Sequence, residues 1–283
     1  MNYSESTRGL LERLRVALEG VAKEGRLAIA YSGGLDSRFL SHASKLLGFE
    51  PLLLHVTGPH AGGDEARGLR WAREQGFRLK VLEVNPLSVP EVAAGSKYRC
   101  YGCKKAVFGA LLKEAEGLPL CDGTNHTDGL SGVWRPGMKA LKELGIASPL
   151  AAAGLGKPEI RSVARETGME RPDQLPEPCL LTRLPYGMQP TVPVLAKLRD
   201  AEALVSLALS EKGVNSMSYR LRLPGPGPPP VPFTMEAWER LGEAAREEVR
   251  KRVAVAFPED FGELRLRGLE KLSGYYDRVS GNV

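Results

Sequence analysis

Two short stretches carry residue types whose spacing can do chemistry. The first, Ser32-Gly33-Gly34-Leu35-Asp36-Ser37, directly follows the apolar run Leu27-Ala28-Ile29-Ala30-Tyr31. An apolar run bounded by glycines reads as a buried strand, and the residues from Arg38 to Leu47 read as a helix. The glycines then sit at a strand-to-helix turn, where they permit positive φ and close approach of a ligand to the backbone. The helix start offers unpaired N–H groups and the positive end of its dipole, a site for anions. Ser32 and Ser37 add hydroxyls, and Asp36 can hold magnesium against phosphate oxygens. A Walker loop would end in Lys-Ser or Lys-Thr, whereas position 38 is Arg. The second stretch, Arg99-Cys100-Tyr101-Gly102-Cys103-Lys104-Lys105, has the C-x-x-C spacing that puts two thiolates on one metal or one cluster. It precedes an expected helix whose dipole, with Arg99, Lys104 and Lys105, favours the thiolate form.

The pair alone leaves zinc, dithiol redox and iron–sulfur chemistry open. Zinc asks for four closed ligands, and the remaining His and Cys residues form no second C-x-x-C or H-x-x-x-H. Cys179, in Pro178-Cys179-Leu180-Leu181-Thr182-Arg183, is either a third ligand or a small apolar packing residue. Three thiolates would leave one iron of a [4Fe–4S] cluster open to a non-protein ligand. Cys121 ends an apolar run and reads as core.

The elements that must position these residues alternate. Pro51–Val56 and Phe77–Val84 read as further strands, Asp64–Gln75 and Lys104–Glu116 as helices, and Leu118–Cys121 leads into Asp122-Gly123-Thr124-Asn125. This pattern predicts α/β architecture, a doubly wound parallel sheet with ligands at the carboxyl ends of the strands. SGGLDS and DGTN then border one nucleotide site. Pro158–Gly168 reads as a helix and Arg171–Pro190 as irregular. A boundary at 188 divides a nucleotide-binding domain, 1–188, from a smaller C-terminal α+β domain, 189–283. In the latter, Val194–Lys212 and Met235–Val255 read as helices, and Tyr219–Leu223 as a half-exposed alternating strand. Pro224–Pro232 reads as a loop or linker and Glu263–Arg267 as a strand.

The chain of 283 residues is 42% hydrophobic and 26% charged with a formal charge of +5, as expected of a globular protein with an anionic ligand. No run approaches the length of a membrane span, and Met1–Leu18 reads as an amphipathic helix rather than a signal peptide. The expected compartment is the cytoplasm, where cysteines serve metals or catalysis more than disulfides.

SGGLDS resembles the PP-loop of the ATP pyrophosphatases. With RCYGCK at 99–104, DGTNHTD at 122–128, RPGMKAL at 135–141, SPLAAAGLGKPEIR at 148–161 and PCLLTRLPYG at 178–187, the chain resembles the LarE-type ATP-dependent sulfur transferases. Those enzymes thiolate the pyridinium mononucleotide precursor of the nickel-pincer cofactor.

The resemblance implies that Ser32, Gly33, Gly34, Asp36 and Ser37 cradle the pyrophosphate of ATP, with Asp36 and Asp128 near Mg2+. It places Gly123, Thr124 and Asn125 beside the nucleotide; Asp128 reads alternatively as a solvated loop acid. It implies that Cys100, Cys103 and Cys179 bind a [4Fe–4S] cluster whose open iron carries the sulfide. Arg183, Arg220 and Arg222 are candidate clamps for phosphate or carboxylate, with a solvated strand face the alternative for the last two. Lys104 is divided in the same way.

The expected partners are a small anionic nucleotide-like substrate and a sulfur donor. A homo-oligomer is compatible with the sequence; nucleic acid and membrane are not expected. The final third departs from the family pattern, because PGPGPPPVP replaces a glycine turn and no acidic strand follows. A tRNA thiolase and an amide-forming PP-loop synthetase are competing enzymatic readings, and a nucleotide-binding or zinc-stabilised scaffold without turnover is the non-enzymatic one. The first would want a dense basic face, and the second would leave the C-x-x-C pair without a role.

Overall fold

A computed structural model of the protein describes residues 3–62, 65–130, 135–214, 219–223, 230–233, 241–256, 265–268, 272 and 275–279. The chain folds into two compact units, one comprising Met1–Gly58, Asp64–Pro86 and Cys100–Pro176, the other Pro59–Gly63, Leu87–Arg99 and Glu177–Val283.

The first unit is built on a four-stranded, all-parallel sheet of β1 (Arg26–Ala30), β2 (Glu50–Thr57), β3 (Arg78–Glu83) and β4 (Leu120–Cys121), in the order β3-β2-β1-β4. The register sets Ile29 beside Leu53 on one side and beside Cys121 on the other. Strand side chains alternate between faces, and each face is covered. Leu27, Ile29 and Leu53 pack with helices α1 (Glu5–Glu19), α2 (Leu35–Leu46) and α3 (Glu65–Glu74). Ala28, Leu52 and Leu54 pack on the opposite side with Phe108, Leu111 and Leu141. Burial on both faces is why β1 and β2 read as continuous apolar runs rather than alternating ones. The doubly wound α/β architecture expected from the sequence is therefore present.

Short helices α4 (Pro90–Ala93), α6 (His126–Leu130) and α8 (Pro149–Ala152) alternate along the chain with α5 (Arg99–Glu114), α7 (Pro136–Glu143) and α9 (Lys157–Glu166). Helix α5 starts five residues before the expected Lys104 and so takes the whole C-x-x-C pair into its first five residues. A Ser turn precedes it: Tyr98 N donates to Ser96 Oγ and Arg99 N to Ser96 O. This local hydrogen bonding is what allows the earlier start.

In the second unit a 3₁₀ turn at Leu180–Arg183 precedes α10 (Val192–Glu211), which Thr191 caps by accepting from Val194 N. Helix α11 (Glu243–Ala256) overlaps the expected Met235–Val255 helix, ending one residue later; residues 241 and 242 are not helical, and residues 235–240 lie outside the described ones. The structure corrects two sequence readings. The end of the segment read as linker, Pro230–Pro232, forms β5 (Pro230–Phe233) together with Phe233 and pairs parallel with β6 (Arg265–Gly268). Among the described residues this sheet has two strands, so each is an edge, which tolerates proline's missing N–H. Tyr219–Leu223, read as a half-exposed strand, makes only an isolated bridge at Tyr219 and is buried from Arg220 to Leu223. A short α12 (Tyr275–Val279) follows. No helix among the described residues is long and apolar enough to cross a membrane.

Candidate functional site

Strands β1 and β4 are neighbours, so the loops leaving their carboxyl ends meet. After β1 the chain turns at Gly33 (φ 75°) and enters α2, with Gly34 as a cap residue that has no side chain to bond the helix amides. Ser32 N and Ser37 Oγ are 3.2 Å apart, and the two serine hydroxyls are 3.1 Å apart. Gly33 is pressed against helix α3, so that a Cβ on Gly68 would lie 3.0 Å from the Gly33 Cα. After β4, Gly123 lies flat on the start of α2. A Cβ there would stand 2.9 Å from Ser37 N and 3.2 Å from the Asp36 backbone carbonyl carbon. Both loops are thus compelled to be glycine for reasons of backbone contact.

Asp36 is the centre of the array that results. Lys157 Nζ donates to its Oδ1 at 2.6 Å and its Oδ2 at 2.5 Å. Asn125, fully buried, donates from Nδ2 to Asp36 Oδ2 at 3.4 Å and to Asp128 Oδ2 at 2.8 Å. Arg135 donates to the other Asp128 oxygen at 2.7 Å. One amide therefore ties together two carboxylates, each held by a cation. Burial raises the Asp36 pKa; the ammonium of Lys157 pulls it back, while the charge of Asp128 pushes the same way as burial. Thr124 turns its hydroxyl toward Asp122 Oδ2 at 2.5 Å, and Ser148 bonds the other oxygen, so Asp122 shapes the turn. The sequence had put Ser32–Ser37, Gly123, Thr124, Asn125 and Asp128 at one nucleotide site, and the structure brings these residues together.

The cysteines divide. Cys100 and Cys103 are three residues apart near the start of α5, the first half-buried and the second buried. That spacing puts both on one helix face. Lys104 follows, its stem lying over Gly137, where a Cβ would come within 2.9 Å of Lys104 Cδ, and its ammonium 5.7 Å from the Phe108 ring centroid. Cys121 is fully buried in the core, and burial, then the nearby Asp122 charge, pushes its thiol up to about 12; it is a packing residue. Cys179 belongs to the second unit, half-buried at the start of the 3₁₀ turn, where its carbonyl accepts from Thr182 N and Oγ1. Among the described residues no group of three or more His, Cys, Asp or Glu side chains is arranged to hold a metal ion.

Arg183, Arg220 and Arg222 gather within the second unit. Arg183 grips Glu202 through two bonds of 2.6 and 3.0 Å, and Arg222 donates to Thr182 O and Leu272 O while stacking 4.5 Å from the Tyr275 ring centroid. Burial, and for Arg220 next the charge of Arg183, lowers Arg220 and Arg222 to about 10. A solvated strand face is excluded for both by their burial.

Two residues of the Asp36 array were given no role by sequence reasoning. Lys157 opens α9 and Arg135 is the cap residue just before α7, each next to a proline. Both stand inside stretches that carried the family resemblance, GKPEIR and RPGMKAL, and a cation beside a helix-starting proline was the available signal.

No family model matches the chain. Among curated proteins, the uncharacterized protein slr1717 of Synechocystis sp. is 32% identical over 202 residues, covering 69% of this chain and 72% of that protein. The uncharacterized protein MJ0830 of Methanocaldococcus jannaschii is 32% identical over 198 residues, covering 68% and 74%. Pyridinium-3,5-bisthiocarboxylic acid mononucleotide synthase of Lactiplantibacillus plantarum is 27% identical over 183 residues, covering 62% and 66%. An α/β sheet whose β1 and β4 loops converge on Asp36 thus comes with two relatives matched over most of their length, and the chain belongs to the family of slr1717 and MJ0830, with the synthase as a homologue at lower identity.

Proposed function

We propose that the protein is an ATP-dependent sulfur transferase that adenylates a substrate carboxylate and replaces its oxygen by sulfur, as in nickel-pincer cofactor biosynthesis. The observation that carries this reading is the convergence of Asp36, Lys157, Asn125 and Asp128 where the SGGLDS and DGTN turns meet. The synthase homologue supplies the chemistry by its name.

In the reaction, a carboxylate oxygen bonds the α-phosphorus of ATP and pyrophosphate leaves. A sulfur nucleophile then bonds the carbonyl carbon, the carbon–oxygen bond to the nucleotide breaks, and AMP departs. Electrostatic stabilisation of the phosphates is the largest help the protein offers. The loop amides from Gly33 to Ser37 and the start of α2 would face the leaving pyrophosphate. Lys157 would exchange its hold on Asp36 for the phosphates. The donor set fits magnesium, an oxygen-seeking ion that takes one or two carboxylates together with phosphates and water; Asp36 and Asp128 would hold it. Magnesium would neutralise charge on the leaving group.

For the sulfur source, Cys100 and Cys103 fit two ligands of one iron–sulfur cluster, sharing a helix face. A third thiolate from Cys179 and an open iron rest on the family resemblance. Such a cluster would supply sulfide to the acyl-adenylate.

The test is anaerobic incubation with ATP, magnesium and a pyridinium dicarboxylate mononucleotide. Formation of AMP, pyrophosphate and a thiocarboxylate detected by mass spectrometry is the expected result; no AMP with that acceptor refutes the reading. Single Cys100→Ala, Cys103→Ala and Cys179→Ala exchanges should abolish the visible absorption of the anaerobic protein. Cys121→Ala should leave it, and absorption that survives loss of Cys179 removes the third ligand.

A further inference from the structure

Gly33 and Gly34 form the most permissive pair in the turn after β1, since glycine reaches both signs of φ at little steric cost. A loop meant to hold phosphate needs its peptide planes fixed in advance, and nothing in a Gly-Gly pair fixes them. The structure supplies an external pin from a distant part of the chain. Gln174 donates from Nε2 to the Gly33 carbonyl at 3.3 Å. Its Oε1 accepts from Arg38 Nη1 at 2.7 Å, which sets the amide the right way round.

Arg38 itself is fully buried, and its guanidinium lies 4.7 Å from the Trp71 ring centroid. Its second nitrogen donates to Glu170 O at 2.5 Å. Trp71 stacks nearly parallel to Tyr31, whose hydroxyl donates to Gly68 O at 2.8 Å. The same Gly68 is the residue against which Gly33 rests. The Gly33 carbonyl and the Gly34 N–H share one peptide plane, and the N–H faces Ser32 Oγ at 3.3 Å. Holding the carbonyl therefore aims the amide.

We infer that Arg38 and Gln174 form a positioning relay that locks the Gly33–Gly34 peptide in the orientation the nucleotide phosphates require. Neither residue touches the ligand in this scheme. Arg38 is fully buried and acts through Gln174, and Gln174 acts through the loop. The segment from Met169 to Gln174, held by Arg38 and turned back by Gln174 N on Arg171 O, is thereby tied to the loop's geometry. This inference rests on the nucleotide reading proposed above for what the loop binds, though not for the relay's effect on the loop itself.

Two variants at half-buried Gln174 test it without disturbing the core. Gln174→Leu removes both arms, whereas Gln174→Glu still accepts from Arg38 but has no N–H to offer Gly33. Calorimetric titration should show ATP bound about five- to tenfold more weakly by both, the loss of one net hydrogen bond, with AMP binding unchanged. Gln174→Glu binding ATP like the parent, or both nucleotides weakening together, overturns the relay. Amide hydrogen exchange of residues 32–37 in the ligand-free variants should rise while that of β1 stays the same. Unchanged exchange also overturns it. A parent protein that binds no ATP defeats the nucleotide reading instead, and the exchange experiment then decides the relay alone.

Discussion

Replacing Lys157 by Met isolates the cation that faces Asp36. At separations of 2.6 and 2.5 Å, an effective dielectric constant near 20 gives a gross attraction of about 6 kcal/mol. Most of that is offset, because the lysine side chain is 40% exposed and the carboxylate 21%. Exposed pairs retain under about 1 kcal/mol and breaking buried ones costs about 3–5 kcal/mol. A coupling of about 2 kcal/mol is therefore expected from a double-mutant cycle with Asp36→Asn in urea unfolding. The pH dependence carries a sign. The folded pKa of Asp36 is raised, with burial the first cause. Its contribution to stability is therefore present below the unfolded value, about 3.9, and lost as pH rises through the folded value. Loss of Lys157 removes the main opposing influence and raises that folded value further. The destabilisation by Lys157→Met should then be full near pH 7 and shrink toward about pH 4, as Asp36 becomes neutral. Equal destabilisation at both ends, or a coupling indistinguishable from zero, refutes the electrostatic account of this array.

Gly123→Ala would drive a methyl into Ser37 N and the Asp36 backbone. Overpacking of this kind costs about 1–3 kcal/mol, so chemical denaturation should register that loss, with ATP affinity falling too because the two turns are pushed apart. In the second unit, Arg183→Met would leave Glu202 without its two-pronged partner, with Leu221 N still donating to its Oε1. A charge stranded in this way costs about 3–5 kcal/mol, to be read from the unfolding midpoint. Arg183→Met with parental stability would show that the pair carries little.

The doubly wound sheet was readable because β1 and β2 are buried on both faces and so spell uninterrupted apolar runs. The meeting of SGGLDS and DGTN followed from the rule that ligands lie at strand carboxyl ends, and the Gly123 contact on Ser37 is its local expression. Lys157 and Arg135 were not readable as Asp36-array residues, since what recruits them is the three-dimensional approach of α9 and α7 rather than any local pattern. The start of α5 was missed because a serine turn, not an apolar period, sets it. The burial of Arg220 and Arg222 was missed for a different reason. Alternating charge implies a wet face, but here carbonyls and tyrosine rings replace the water around Arg222, and Arg220 donates to Tyr219 O.

Each of the two compact units is assembled from three separate stretches of chain. Neither can be released by one proteolytic cut or exchanged as a simple tail. Exchanging the second unit by recombination would mean rewriting the strips 59–63 and 87–99 along with the segment from 177 onward.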